Sequence, residues 1–126
     1  MKKTIIGNQT DQQVIDVDNW GEQGDLRIVR CKRIPDKFQT QTDDVIVAHS
    51  ETGHHHVVDL NEVDVFHHPE NERKKYIRLK GESANVIHMR DHRTHKTQRV
   101  VGKPGDVFKL IRQVDFWKEQ QRIRAD

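Results

Sequence analysis

The stretch that decides the fold class is Tyr76-Ile77-Arg78-Leu79-Lys80-Gly81-Glu82-Ser83-Ala84-Asn85-Val86-Ile87-His88. Its two ends are short runs in which apolar side chains stand among polar ones, a composition that is typical of β-strands. Gly81 and Ser83, which separate the two runs, favour a turn. We therefore predict two consecutive strands, at 76–80 and 84–88, joined by a tight connection.

Runs of the same kind lie on both sides of this pair. The other predicted strands are Asp25–Ile34, Asp44–His49, His54–Asp59, Glu62–His67 and Thr97–Val101. We expect a polar loop at 36–44 and an exposed connection from Pro69 to Arg73. Many short strands at close spacing are typical of sandwiches and barrels. The prediction is therefore an all-β protein, a small barrel or sandwich, although the pattern after Gly105 fits a helix as well as a strand.

The length of 126 residues indicates one domain with one core. Clusters of β-branched residues such as Val45-Ile46-Val47 favour a folded middle. Residues 1–22 are rich in Gln, Asn and Asp, and we predict that they form a weakly ordered N-terminal arm. Residues 23–126 then make up the β domain.

Charge and cysteine content argue against several classes of protein. Basic and acidic residues nearly balance, with a formal net charge of +2, and the most basic stretch, 90–99, contains no aromatic residue for base stacking. Nucleic-acid binding is therefore not indicated. No apolar run reaches the roughly 20 residues of a membrane span, and the first residues lack the apolar region of a secretion signal. With Cys31 as the single cysteine, we expect a cytoplasmic protein without a membrane partner.

Histidine is the residue type that points to a site. Of nine histidines, six fall into two groups, His54-His55-His56 and His88, His92, His95. Side chains alternate along a strand, so the first and third members of the triplet share a face. Two imidazoles on one face suit Zn²⁺ or a similar divalent ion, and a second pair spaced three residues apart would add two more ligands.

Two other interpretations of these histidines stay open. Histidine is of intermediate burial in proteins, so the groups are also compatible with a strand and a hydrated loop that bind nothing. An imidazole also titrates near pH 6.5 and serves as general acid or base. Residues 92–94 and 95–97 both have the form His-x-Thr, which some phosphoesterases use. No phosphate-binding glycine loop, nucleophile motif or carboxylate pair stands out.

Four pieces of sequence carry a resemblance to a known family. They are Gln23-Gly24-Asp25, Glu51-Thr52-Gly53-His54-His55-His56, His92-Arg93-Thr94-His95, and Pro104-Gly105 with Arg112-Gln113 further on. In this order, over residues 23–126, the chain resembles small uncharacterised proteins from phages and bacterial genomes. Thr94 and Phe108 stand where members often have Glu and Tyr. The resemblance implies a strand after Gly105 and two histidine pairs that meet in space, and the style of site is similar to that of cupins, without the cupin Glu.

The leading hypothesis is a site for a divalent metal, zinc first, with ligands His54, His56, His92 and His95. Glu51 and Gln113 are expected to hydrogen-bond those ligands or to contact a substrate. Four histidines would close the shell of a structural ion, whereas three would leave a position for activated water, so enzymatic activity stays undecided.

The alternative hypothesis comes from a different class of protein. It is a phage-type accessory or virion-associated interaction module without metal, which would form a homo-oligomer or bind a phage or virion protein. Its location would be the host cytoplasm or the virion. A phosphoesterase that uses histidines as acid and base ranks last.

Overall fold

The computed structural model of the protein describes residues 14–48, 55–90 and 93–125. Within these ranges the chain forms strands, one short 3-10 turn at Asp36–Phe38 and one α-helix. The strands are β1 Val14–Val17, β2 Trp20–Gln23, β3 Leu26–Cys31, β4 Thr40–Thr42, β5 Ile46–Ala48, β6 His55–Val57, β7 Val63–His68, β8 Asn71–Leu79, β9 Ser83–Arg90, β10 Arg93–Val101 and β11 Val107–Arg112. The helix is α1, Gln113–Ala125.

The strands assemble into two sheets that pack together. One has five strands in the order β1-β10-β9-β6-β5, and the other has six in the order β2-β3-β11-β8-β7-β4. Neighbouring strands are antiparallel, except that β1 lies parallel to β10. The prediction of a small all-β domain is confirmed.

The main core lies between the sheets. Its buried side chains come from both of them, among others Val17, Val47, Val86 and Val100 from the five-stranded sheet and Ile28, Val65, Ile77, Phe108 and Leu110 from the six-stranded sheet. A second cluster, Ile34, Phe38, Phe66, Tyr76 and Val107, packs separately. Successive residues of a strand point to opposite faces. Tyr76 and Ile77 are therefore both buried, one in each cluster.

Two segments predicted as loops pair with strands instead. The expectation of an exposed connection from Pro69 to Arg73 is wrong from Asn71 onward, because Asn71 pairs with His68 and opens β8. β4 lies inside the predicted 36–44 loop and pairs with β7. The sequences of β4 and of the start of β8 are polar, so they did not predict strands. A strand with a solvent-exposed face needs few apolar residues.

The β domain begins earlier than predicted, and its last element is a helix. Residues 14–22, assigned from the sequence to the arm, form β1 and most of β2, and Val17 is buried in the core. Residues 1–13 lie outside the described ranges. After Gly105 the chain forms β11 between β3 and β8, as the resemblance implied, and only then turns into α1. No helix in the described part of the chain has the length and apolar character needed to cross a membrane.

Candidate metal centre

Two buried histidines meet on neighbouring strands of the five-stranded sheet. His56 on β6 is directly opposite His88 on β9, and the two side chains are only 1% and 8% exposed. Their rings stack with centroids 4.4 Å apart and planes 9° from parallel. Two imidazoles this close do not readily carry a charge each, because like charges repel strongly where little water screens them.

Gln23 at the end of β2 fixes the tautomer of His56. This buried amide donates a hydrogen bond from Nε2 to the Val86 carbonyl oxygen at 2.8 Å. The orientation of the amide is therefore set, since a carbonyl can only accept. Its Oε1 must then face His56 Nδ1, 2.8 Å away, and accept a hydrogen bond from it. Nδ1 of His56 carries the proton and Nε2 holds a lone pair.

Asp25 stands opposite that lone pair. Its Oδ1 lies 3.6 Å from His56 Nε2, which is beyond hydrogen-bond distance, and Nε2 is buried with no hydrogen-bond partner among the described residues. Burial lowers the pKa of His56 to about 4, with His88 adding to the effect and Asp25 opposing it. His56 is therefore a neutral imidazole at pH 7.

Gly24 allows the turn between β2 and β3 to approach the histidine pair. Its φ angle is +59°, in the left-handed region that favours glycine. A Cβ atom at this position would lie 3.1 Å from Cε1 of His88. The backbone of Gly24 therefore lies directly against the ring, and a larger residue would push the two apart.

The structure describes three of the residues predicted for the site. His56 lies at its centre. Gln113 lies at the start of α1, and its backbone N–H donates to the carbonyl oxygen of Asp25 at 2.7 Å, so it adjoins the site through the main chain. His95 contributes its backbone to β10. Three other predicted residues lie outside the described ranges: the ligands His54 and His92, and Glu51, which was expected to hydrogen-bond the ligands or contact a substrate.

The strand pairing brings His55 of β6 and Thr94 of β10 to the same end of one sheet. β9 has β6 on one side and β10 on the other, so that Met89 pairs with both His55 and Thr94. The register of β10 shifts between Thr94 and Lys96, which puts His95 in a bulge. Bulges are frequent beside active sites because they redirect a side chain.

Three members of this cluster, Gln23, Asp25 and His88, were not among the predicted site residues, although the resemblance includes Gln23 and Asp25 and the second histidine group includes His88. Gln23 and Asp25 flank a glycine just before a strand, and this pattern predicts a turn. It does not predict that the turn lies against the two histidines. The signal for His88 was its place two residues after Val86, on a face that is buried. Among the described side chains, no group of three His, Cys, Asp or Glu is arranged to hold a metal ion.

Comparison with known proteins gives one match. Residues 22–113, more than half of the chain, match the model of a family described as "Domain of unknown function (DUF8820)". No curated protein and no solved structure matches. The chain belongs to the DUF8820 family.

Proposed function

We propose that this DUF8820 domain binds a divalent metal ion, zinc first, between His56 and Asp25. The observation that carries the proposal is the bare Nε2 atom of His56, which faces the Asp25 carboxylate at 3.6 Å. A nitrogen lone pair and a carboxylate oxygen repel each other, and a cation between them would be attracted to both. A proton is a poor candidate for that cation, because the pKa of His56 is lowered to about 4.

Distances and hydrogen bonding both suit a metal. Zinc binds imidazole nitrogen and carboxylate oxygen at about 2.0–2.2 Å, so an ion between the two atoms can bridge a 3.6 Å separation. Metal-bound histidines almost always donate their second N–H to an oxygen that orients the ring. Gln23 Oε1 accepts such a hydrogen bond from His56.

The remaining ligands are proposed from the sequence and the strand order. His95 lies in β10, which pairs with β9 from the other side. His54 is two residues before His56 in the sequence, and His92 is three residues before His95. β6 and β10 are separated by one strand, or about 10 Å at the usual spacing of sheets. Imidazoles extending from both segments would complete the shell around an ion held by His56 and Asp25. A position left to water would allow that water to be activated.

Zinc binding by the tag-free protein tests the proposal. The chain is purified without nickel resin, stripped with chelator, offered zinc, dialysed and analysed for bound metal. We expect about one equivalent per chain. His56→Gln should abolish binding because it removes the oriented nitrogen. Asp25→Asn keeps the shape of a side chain that is 56% exposed, so it should fold and bind zinc at least tenfold more weakly.

His67→Gln is the matched control, because it removes a histidine from β7 in the other sheet. It should retain the wild-type metal content. A wild-type protein that returns from dialysis without zinc would refute the proposal, as would equal zinc affinity in the wild type and Asp25→Asn. The double variants His54→Ala with His56→Ala, and His92→Ala with His95→Ala, then test whether both predicted pairs contribute.

A protein interaction module is the second candidate function, favoured by an exposed aromatic face. Trp20 and Trp117 are 57% and 51% exposed. They flank the Arg27 guanidinium, whose carbon lies 4.4 Å and 5.4 Å from their ring centroids. Exposed tryptophans beside an arginine are typical of binding hot spots, and a second copy of the chain is the first partner to test.

Molar mass by light scattering in the presence of chelator tests this second function. A dimer that persists without metal and dissociates in Trp117→Ala would support the module. A monomer at all concentrations would exclude self-association through this face. Because chelator is present throughout, the result does not depend on the metal proposal.

A further inference from the structure

A cleft with a cationic wall opens between the two sheets. Its volume is about 430 Å³, within the range of small-molecule sites. Val47 and Ala48 of β5 contribute apolar surface from one sheet, and Leu26 and Leu110 contribute it from the other. The remaining lining is polar, and its charged members are Arg73, Lys75, Arg112 and Asp44.

The cations stand at positions where a sandwich normally places apolar residues. On β8, Arg73 and Lys75 share a face with Ile77, which is fully buried in the core. On β11, Arg112 shares a face with Leu110, which is 1% exposed. At this end of the six-stranded sheet the inward face therefore changes from apolar to cationic. Arg73 and Arg112 remain exposed to solvent, so only the largely buried Lys75 incurs a desolvation cost that a partner must offset.

The partners within the described residues balance only part of this charge. Lys75, with a side chain 12% exposed, donates to the Ile46 carbonyl oxygen at 2.9 Å and faces Asp44 at 3.5 Å. Arg112 is half exposed, and its Nε lies 3.8 Å from Asp25. Arg73 makes no ion pair with any described residue. With Asp25 counted as the partner of Arg112, three cations face two carboxylates, which leaves an excess of one positive charge at the cleft.

We infer that this cleft binds a small phosphate monoester whose organic part is apolar. A phosphate monoester carries a charge of about −1.5 to −2 at pH 7, so the excess positive charge of the cleft attracts it. Guanidinium groups present paired N–H donors that fit phosphate oxygens. Leu26, Val47 and Leu110 are buried beneath the cleft, so the organic group would contact mainly the partly exposed Ala48 among the apolar lining residues. The inference does not depend on the metal site, although Arg112 links the two through Asp25.

Amide chemical shifts of the labelled protein, recorded during titration with phenyl phosphate in chelator, test the inference. We expect saturable shifts on β5, β8 and β11 around the cleft. Arg73→Gln should weaken binding roughly tenfold, the loss expected for one charge-assisted hydrogen bond. Arg33→Gln is the matched control, because it makes the same change of charge at a side chain that is 75% exposed and does not line the cleft.

The ligand series separates the features that the cleft recognises. Benzoate and inorganic phosphate should each bind more weakly than phenyl phosphate, since one lacks the dianion and the other the apolar group. No saturable shifts at the cleft, or equal weakening by Arg33→Gln and Arg73→Gln, would overturn the inference. Benzoate binding as tightly as phenyl phosphate would overturn the assignment to a phosphate. Because chelator is present, a failed zinc experiment leaves this result unaffected.

Discussion

Acidification from pH 7 to pH 5 is expected to destabilise the metal-free protein by about 2 kcal/mol through His56. Burial lowers the pKa of this imidazole to about 4 in the folded chain, with His88 contributing, from an ordinary value of 6.5. Between these values the unfolded chain binds a proton that the folded chain does not bind. Stability is therefore lost as the pH falls through this window. Each pH unit contributes about 1.4 kcal/mol, and pH 5 lies roughly 1.5 units below the ordinary value.

Urea unfolding in chelator, followed by tryptophan fluorescence, measures the effect at the two pH values. Asp and Glu ordinarily titrate near pH 4, so they stay ionised at pH 5 and histidines dominate the difference. His56→Gln should reduce the difference in unfolding free energy between pH 7 and pH 5 by about 2 kcal/mol. His67→Gln changes a histidine of the other sheet, so it should not reduce the contribution of His56 to the pH dependence of stability.

The reasoning would be refuted if His56→Gln and the wild type lost equal stability on acidification. The pKa of His56 can also be measured in the wild type, so the test does not depend on the folding of His56→Gln. Nuclear magnetic resonance titration of the imidazole carbons gives the pKa of each histidine in the intact wild type. A value near 6.5 for His56 would mean that its burial does not exclude the charged form, and the tautomer argument for the metal site would weaken with it.

Three further substitutions test the packing around the site, each measured by chemical denaturation of the metal-free protein. Gln23→Leu leaves the N–H of His56 without its partner and removes one donor to the carbonyl of Val86, and it should cost about 1–3 kcal/mol; a loss under about 0.5 kcal/mol would contradict the hydrogen bonding described. Gly24→Ala adds a Cβ close to His88 at a positive φ angle and should cost about 1–2 kcal/mol from the backbone alone. A loss above this backbone cost would measure the contact with the His88 ring, whereas a loss within it would show that the ring moves aside. Phe108→Ala empties a fully buried core position and should cost about 3–5 kcal/mol, and a smaller loss would mean that the core collapses around the gap.

Strand composition was sufficient to predict the fold class. The segments around Leu26, Val65, Ile77 and Val86 all became strands whose apolar residues face the core. Alternation is a local property, because each residue's neighbours along the chain decide which face it occupies. Sequence alone could therefore predict most of the strands, and it left the segment after Gly105 open because β11 and α1 follow each other there without a break.

Polar strands were the elements that local pattern could not find. β4 and the first residues of β8 carry few apolar side chains, and they are strands because a neighbour supplies hydrogen-bond partners. β1 likewise depends on its parallel pairing with β10, more than 75 residues later in the chain. Such pairing depends on two segments that are distant in the sequence, so it cannot be predicted from the residues of either segment alone.

The candidate site divides in the same way. The sequence by itself determined that histidines are concentrated in two groups and that His56 lies on a strand. Only the tertiary structure decided that His88 stacks on it, that Gln23 fixes its tautomer and that Asp25 faces its free nitrogen. These residues are about 30 or more positions from His56 along the chain, and they meet because the turn between β2 and β3 in one sheet packs against β6 and β9 in the other. The contacts of Gln23 and Asp25 with His56 depend on how the two sheets pack, and the local sequence pattern of a strand does not determine that packing.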